Sequence, residues 1–489
     1  MRLDDHTSGK FLHFTLVVDL DGTLTPTDTL MESLIQLIKT SPLNLLRMPL
    51  WLLKGKAAFK DAVAARSRIM AEQLPYSEPF LNYLRTEKER GRRIILATAA
   101  HETIARSVSK HLGLFDDVLA TDKYCNLKGR TKLDTIRDRV GGEFVYAGDS
   151  QADIPIWQAA KGAVLVGVAS NIAESVRRSV PIEKEFRREG TGVSVWMQAF
   201  RVHQWLKNLL LFVPMLTAFS FMKMENLAMM AGAFLAFSLA ASSTYMVNDL
   251  WDLENDRAHP RKRQRPFASA RIPILQGLGA AAVSLVLALV LAFAVSKDFF
   301  LILLLYIALT SAYSWVLKQY VLIDVLVLSL LYSLRILAGS VAIGVTTSSW
   351  LLAFSVFMFL SLALVKRCSE LVTLGQMGKK ATRGRDYRVA DLVVLWPLGV
   401  GAALSAVVVF GLFISAPETQ ARYATPDLLW LVAVALIYWL ARLWIKTSRG
   451  EMHDDPVIYA LKDNGSRMTI LAMTLTMLSA HFLAMENVL

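Results

Sequence analysis

Two cysteines in 489 residues, Cys125 and Cys368, are too few and too far apart for a disulfide framework or a zinc site. Apolar runs of membrane-spanning length are missing before Trp205. Met1–Lys10 is polar and lacks the apolar core of a signal peptide. These absences predict a water-soluble first domain that stays in the cytoplasm. After Trp205 the balance reverses. Hydrophobic residues make up 54% of the chain and the mean hydropathy is +0.40, an excess carried by the later runs. A soluble domain followed by a membrane domain is therefore expected. Acids are the scarcer charge, 41 Asp and Glu against 53 Lys and Arg, for a net charge of +12. A surplus of that size can signal nucleic acid. Here the bases cluster in alternate loops between apolar runs, as in membrane proteins, and no nucleic-acid partner is expected.

The first strand signal is Phe14–Val18, an unbroken apolar run typical of a buried parallel strand. It ends in Asp19-Leu20-Asp21-Gly22-Thr23-Leu24-Thr25. Two acids thus leave the strand's C-terminal end, where α/β folds keep their sites. Gly22 permits the tight turn after them. A second strand, Arg93–Ala97, runs into Thr98, and a third, Glu143–Ala147, runs into Gly148-Asp149-Ser150-Gln151-Ala152-Asp153. Between them lies Asn126-Leu127-Lys128-Gly129-Arg130-Thr131-Lys132, ahead of a helical stretch from Leu133 to Arg139. Pro26 to Glu89 reads as helical, with Leu30, Leu34, Leu37 and Ile38 on one face. Residues 170–200 are charged and read as a linker and approach to the membrane.

These four motifs in this order resemble the haloacid dehalogenase superfamily of phosphatases. The resemblance implies that Asp19 attacks phosphorus while Asp21 protonates the leaving oxygen and then activates water. Thr98 and a lysine would hold the phosphoryl oxygens. Asp149, supported by Asp153, would hold Mg²⁺ beside Asp19 and Asp21. Lys132 is preferred for the lysine because it immediately precedes the helix; Lys128 is the alternative. The helical insert after the first motif would be a small cap that selects substrate.

Candidate spans after residue 200 are 207–222, 227–247, 274–296, 299–316, 321–344, 350–365, 392–415, 426–445 and 468–485, about nine in all. With the N-terminus inside, the even-numbered loops are inside too. Those loops carry Arg257, Arg261, Lys262, Arg263, Arg265 and Arg271; Lys318; Lys366, Arg367, Lys379, Lys380, Arg383, Arg385 and Arg388; then Lys446, Arg449, Lys462 and Arg467. The odd loops hold only Lys223, Lys297 and Arg422. The bias predicts an integral plasma (inner) membrane protein with its active-site loops cytoplasmic. Arg335 lies well inside the fifth span, where a charge needs a reason; the expectation is that it reaches a polar cavity.

The second span closes in Asn248-Asp249-Leu250-Trp251-Asp252-Leu253-Glu254-Asn255-Asp256-Arg257. On a helix Asn248, Asp252 and Asp256 share a face, with Asp249 beside it. Such acids repel unless a cation sits among them, and hard oxygen ligands suit Mg²⁺ shared with substrate phosphates. Arg257, Arg261, Lys262 and Arg265 follow and would hold further phosphate oxygens. The plainer reading is a solvated charged loop.

That acidic motif at the end of the second of nine spans resembles the UbiA superfamily of intramembrane prenyltransferases. Further echoes are Arg201 to Asn208, which includes Lys207, and Tyr313-Ser314-Trp315-Val316-Leu317-Lys318. Aromatic prenyltransferases of that superfamily carry a second acid-rich motif near the sixth span. Here that region reads Lys366-Arg367-Cys368-Ser369-Glu370-Leu371, then Arg383-Gly384-Arg385-Asp386-Tyr387. With His259-Pro260 and Asp454-Asp455-Pro456-Val457, this looks most like the decaprenyl-phosphate phosphoribosyltransferase branch. The resemblance implies transfer of 5-phosphoribose from phosphoribosyl pyrophosphate to a polyprenyl phosphate. Asp249, Asp252 and Asp256 would hold Mg²⁺ and pyrophosphate, while Lys366, Arg367 and Lys207 would place the lipid phosphate. Glu370 would bind ribose hydroxyls or tie down Arg367. The phosphatase domain would then remove the 5-phosphate. The alternative is a prenyl diphosphate donor with an aromatic acceptor.

The expected architecture is an α/β Rossmann-like domain of haloacid dehalogenase type with a small helical cap (1–180), a linker (181–200) and an all-α polytopic membrane domain (201–489). Membrane lipids are expected partners, and a homo-oligomer is left open.

Overall fold

The computed structural model describes residues 11–188, 190–381, 385–452 and 455–483. Met1–Lys10, Arg383, Gly384 and Asp454 lie outside them. The chain packs as two units. One joins the residues up to Phe200 with Tyr245–Ala281; the other joins Arg201–Thr244 with the residues from Ala282 onward. The acid-rich stretch thus packs within the first unit, although it follows an apolar span in sequence.

The first unit is built on six parallel strands: β1 (Thr15–Val18), β2 (Ile94–His101), β3 (Asp117–Thr121), β4 (Phe144–Gly148), β5 (Gly162–Val166) and β6 (Ile182–Phe186). Their order is β3-β2-β1-β4-β5-β6. Side chains alternate across a strand. In β1, Leu16 and Val18 pack with Phe80, Leu84 and Val108, while Val17 packs with Tyr146, Ile156 and Trp157 on the other side. Both faces are covered, which is why β1 reads as an unbroken apolar run. β1 lies between β2 and β4, so its C-terminal end is the point where the winding reverses and where ligands bind in such sheets.

The helical insert is present as α1 (Thr29–Thr40), α2 (Asn44–Leu53), α3 (Lys56–Ala64) and α4 (Glu78–Glu89). Asp28 caps α1, accepting from the backbone N–H groups of Leu30 and Met31 at 2.9 and 3.1 Å. Phe80, Leu81 and Leu84 of α4 are in the sheet core, so the cap proper is α1–α3.

The stretch read as a linker holds β6 and a helix, Val193–Ala199. Ile-Glu-Lys-Glu-Phe reads as charged, but Glu183 is buried against Arg92 in a two-point ion pair of 2.6 and 2.9 Å. Tyr83 also donates to Glu183 at 2.6 Å. That pairing offsets the cost of burying the acid and lets the strand join the sheet.

In the second unit, seven helices are long and apolar enough to cross a membrane, counting the described residues: Met224–Trp251, Ile274–Val295, Lys297–Trp315, Ile323–Ala342, Ser349–Gln376, Val389–Ser415 and Pro426–Ser448. Two of them also supply residues to the first unit. The count of nine is not reached. The first expected span is a 3₁₀ segment, Val202–Phe212, and a short helix, Val213–Thr217, with Pro214 at its start. The last, Asn464–Phe482, is diluted by Thr, Ser and Asn. Small residues let the helices close up. A Cβ on Gly339 would lie 1.9 Å from the Leu211 carbonyl oxygen, and one on Gly399 would lie 2.2 Å from the Trp444 ring.

The sixth expected span does not stop near residue 365. Its helix runs on to Gln376, so Lys366, Arg367 and Glu370 are helical rather than loop residues. Arg335 is buried. Its guanidinium donates to Asn208 Oδ1 and Tyr306 OH, both at 3.0 Å, and to the Leu331 carbonyl, with the Tyr306 ring 4.9 Å away. Buried polar partners replace water around the charge.

Candidate active sites

The phosphatase-type site sits at the C-terminal ends of β1, β2 and β4. Lys132 Nζ lies 2.9 Å from Asp19 Oδ1 and donates to Tyr146 OH at 2.7 Å; Tyr146 in turn donates to Asp153 Oδ1 at 2.8 Å. Lys132 and Tyr146 are buried, whereas Lys128 is exposed. Asp153 also accepts from the Ser150 N–H and hydroxyl at 3.1 and 3.0 Å. Thr98 is fully buried at the end of the Ile94–Ala97 run and accepts from the Ala100 N–H at 3.0 Å.

Asp19, Asp149 and Asp153 each bring an oxygen within 4.8 Å of the others, a group that fits one divalent cation. Two observations favour that fit. Burial, then the charges of Asp19 and Asp153, push the Asp149 carboxyl up to about 7, a crowding that a cation would relieve. Gly22 also leaves the space Asp149 occupies, since a Cβ there would lie 2.1 Å from Asp149 Oδ2. The carboxylate of Asp21 stands apart from the trio. It accepts from the Thr29 N–H at 3.0 Å and the Thr29 hydroxyl at 3.2 Å. Burial, then Asp28, push it up to about 8, so it carries a proton at neutral pH.

Two cations at this site escaped the sequence reading. Lys60 of α3 donates to the Ala99 carbonyl at 2.6 Å and to Asn126 Oδ1 at 2.8 Å, tying cap to core. Arg188 donates to the Gly22 carbonyl at 2.6 Å. Neither belongs to a motif, and both arrive from segments far away in sequence.

The acid-rich stretch is not one continuous helix. The span ends at Trp251, Asp252 breaks it, and a short helix, Leu253–Ala258, follows. Across the break the Asp252 N–H still donates to the Asn248 carbonyl at 3.0 Å, and the Asp256 N–H to the Asp252 carbonyl at 2.9 Å. Asp249 and Asp256 are brought together. Arg265 reaches both, at 3.0 and 2.7 Å, and both acids are buried. The arginine expected to hold phosphate is thus paired with these two acids. Asn248 and Asp252 are half-buried, and the Asp252 carboxylate makes no hydrogen bond or ion pair among the described residues. Arg261 and Lys262 are exposed; their N–H groups donate to His259 Nδ1. Arg257 is committed elsewhere. It holds Glu32 of α1 at 2.8 and 2.6 Å and donates to the Ala268 carbonyl at 2.9 Å. Gln36 of α1 donates to Glu254 at 2.9 Å. Met31 and Ile35 of α1 pack in the cluster that holds Leu250, Leu253 and Phe267.

In the second unit the predicted basic residues fall into two groups. Lys207 and Lys366 share one oxygen of Asp455, at 2.9 and 3.2 Å. Arg367 is fully buried, with Asp324 at 2.7 Å and Glu370 as a second partner. Tyr313 donates to Asp324 at 2.9 Å, and Arg385 lies 3.7 Å from Glu370. Lys318 is half-buried on the turn Leu317–Gln319. Glu370 therefore ties down Arg367, the second of the two roles expected for it. Where a second acid-rich motif would lie, the protein builds a basic centre neutralised by Asp324 and Asp455.

A profile of the UbiA prenyltransferase family matches residues 209–462. The chain belongs to the UbiA prenyltransferase family. It is an integral membrane enzyme of that family, and a profile of haloacid dehalogenase-like hydrolases matches residues 16–158 of it. This UbiA family member is 39% identical over 458 residues to the uncharacterized protein y4nM of Sinorhizobium fredii, across 92% of this chain and 88% of the relative. It is 36% identical over 282 residues to the nodulation protein NoeC of Azorhizobium caulinodans, across 57% of this chain and 91% of the relative. It is 31% identical over 289 residues to the decaprenyl-phosphate phosphoribosyltransferase of Mycolicibacterium smegmatis, across 57% of this chain and 90% of the relative. The first match runs through both domains.

Proposed function

We propose that the membrane domain transfers 5-phosphoribose from phosphoribosyl pyrophosphate to a polyprenyl phosphate, and that the phosphatase-type domain then removes the 5-phosphate. The observation that carries the reading is the basic centre of Lys207, Lys366 and Arg367 where an aromatic prenyltransferase would carry acids. The likeness to a decaprenyl-phosphate phosphoribosyltransferase supports the same donor and acceptor.

In the transfer, an oxygen of the lipid phosphate attacks C1 of the ribose. The C1–oxygen bond to pyrophosphate breaks and pyrophosphate leaves. The lipid phosphate is largely ionised near neutral pH, so no general base is required. Asp249, Asp252 and Asp256 would hold Mg²⁺, whose charge would offset that of the pyrophosphate leaving group. Arg265, released from Asp249 and Asp256, and the exposed Arg261 and Lys262 supply positive charge to the same group. Lys207 and Lys366 orient the lipid phosphate. In the hydrolysis, Asp19 attacks phosphorus of the 5-phosphate and the bond from phosphorus to O5 breaks. Asp21 gives O5 its proton. As a carboxylate, it then takes a proton from the water that frees Asp19. Lys132 holds Asp19 and the phosphoryl oxygens. The glycosyl-phosphate diester is left intact. The phosphatase-type domain and the active-site loops are assigned to the cytoplasmic side of the inner membrane.

A donor swap tests the reading. Purified protein receives polyprenyl phosphate with labelled phosphoribosyl pyrophosphate, or a labelled prenyl diphosphate with aromatic acceptors, with Asp249→Ala as the inactive control. Label passing to lipid from phosphoribosyl pyrophosphate supports it; label moving only from the prenyl diphosphate overturns it. With Asp19→Asn the 5-phosphorylated lipid accumulates, and its failure to do so rejects the second step.

A further inference from the structure

Helix α2 of the cap is built inside out. Of the ten residues Asn44–Leu53, the buried one is the polar Asn44. Its leucines point outward: Leu45, Leu46, Leu50, Leu52 and Leu53 are exposed, with Leu46 at 77% and Leu53 at 84%. Leu43, just before the helix, is exposed as well. A water-soluble domain does not normally leave that many large apolar side chains on one short element, and such a patch marks a contact surface. What surrounds the patch is cationic. Arg47 lies within it and Lys54 and Lys56 follow it, all exposed. Trp51 is half-buried, with the Arg66 guanidinium 4.9 Å from its ring. Leucines and a tryptophan bordered by lysine and arginine form the composition of a helix lying in a lipid interface, where apolar side chains enter the acyl boundary and cations meet anionic headgroups.

We infer that α2 is a membrane-contacting element through which the phosphatase cap sits in the headgroup layer of an anionic bilayer. The chain's own spanning helices keep a bilayer within reach of this domain at all times. A weak interfacial helix is therefore enough, because the tether supplies a high effective concentration. The consequence for the phosphatase-type site is selectivity. α2 is followed directly by α3, which carries Lys60 to the mouth of that site. A cap seated in the interface favours a phosphomonoester carried on a lipid over one free in water.

The test uses the full chain in proteoliposomes containing anionic lipid. Cys125, which is exposed, is replaced by serine; Cys368 is buried. A spin label is placed at Leu46→Cys, at Leu53→Cys and, as an aqueous reference, at Tyr124→Cys, an exposed position outside the cap. The expected result is that the first two labels collide more with dissolved oxygen than with a water-soluble nickel chelate, while the reference shows the reverse. The preference should weaken in neutral lipid or high salt. Preferential nickel access at Leu46 and Leu53 overturns the inference. Protection from both reagents also overturns it, by pointing to a second protein surface. Protection that appears only when polyprenyl phosphate is added overturns it in favour of a groove for a single lipid chain. A second arm changes Leu46, Leu50 and Leu53 together to asparagine. Hydrolysis of a lipid-borne phosphomonoester should fall about tenfold, with hydrolysis of soluble p-nitrophenyl phosphate unchanged within about twofold. Equal loss on both substrates rejects the selectivity. The spin-label arm does not depend on which lipid the transferase uses.

Discussion

Gly22 and Asp149 occupy space that only one of them can fill. Gly22 has a φ of +79°, and a Cβ on it would fall 2.1 Å from Asp149 Oδ2. The turn after β1 thus carries no side chain so that the carboxylate from the end of β4 can close on Asp19. Gly22→Ala is expected to displace Asp149 and strain the turn together. Hydrolysis of p-nitrophenyl phosphate should drop more than about 100-fold, and the Mg²⁺ concentration for half-activity should rise. Near-normal hydrolysis would show that Asp149 is not needed where it stands.

The proton on Asp21 sets an alkaline limit. Its carboxyl is raised to about 8 by burial and then by Asp28, so the acid form is present below that pH and lost above it. Phosphatase turnover should fall as pH rises through about 8. Removing the Asp28 charge makes ionisation easier, so Asp28→Asn should move that limb to lower pH. Asparagine can still cap α1, which separates the electrostatic effect from unfolding. A pH–rate profile of both proteins decides it.

Glu32 and Arg257 form a nearly buried pair joining α1 to the short helix Leu253–Ala258. Glu32→Ala leaves the guanidinium without its partner, at a cost of about 3–5 kcal/mol. The expected outcome is faster hydrogen exchange of the amides of Leu253–Ala258 and a higher KM for the transferase donor. The exchanged pair, Glu32→Arg with Arg257→Glu, should recover part of both. Unchanged exchange in Glu32→Ala would mean that Leu250, Leu253 and Phe267 alone hold the segment.

Arg335→Met removes a buried charge that is bonded to Asn208, Tyr306 and the Leu331 carbonyl. Asn208 Oδ1 and the Tyr306 hydroxyl each lose a hydrogen bond from the guanidinium, at about 1.5–3 kcal/mol for a bond to a charged group. The midpoint of thermal unfolding in detergent should fall by several degrees. A variant as stable as the parent but inactive would instead return Arg335 to the reaction.

Much of the phosphatase-type site was legible because its signals are local. An unbroken apolar run followed by Asp19-Leu20-Asp21-Gly22 writes a strand, its end and its turn within nine residues. The sequence puts Lys132 immediately before a helix; it lies instead in the first turn of the helix Arg130–Val140, and its Nζ is 2.9 Å from Asp19. The membrane helices followed from run length, although the first and last fell short where Pro214 and a Thr-rich stretch weaken them. The buried sheet edge was not legible, since Glu183 becomes tolerable only when Arg92 meets it.

By itself the sequence determined the strands β1, β2 and β4, the seven long apolar helices, and which acids would leave β1 and β4. Hydrophobic periodicity and chain reversal are properties of neighbouring residues. Only the tertiary structure decided how the charges are neutralised: Arg265 on Asp249 and Asp256, Arg257 on Glu32, Arg367 on Asp324, and Lys207 with Lys366 on Asp455. A buried charge takes whichever counter-charge the fold delivers. For Arg257 that partner lies 225 residues away, where no spacing rule reaches.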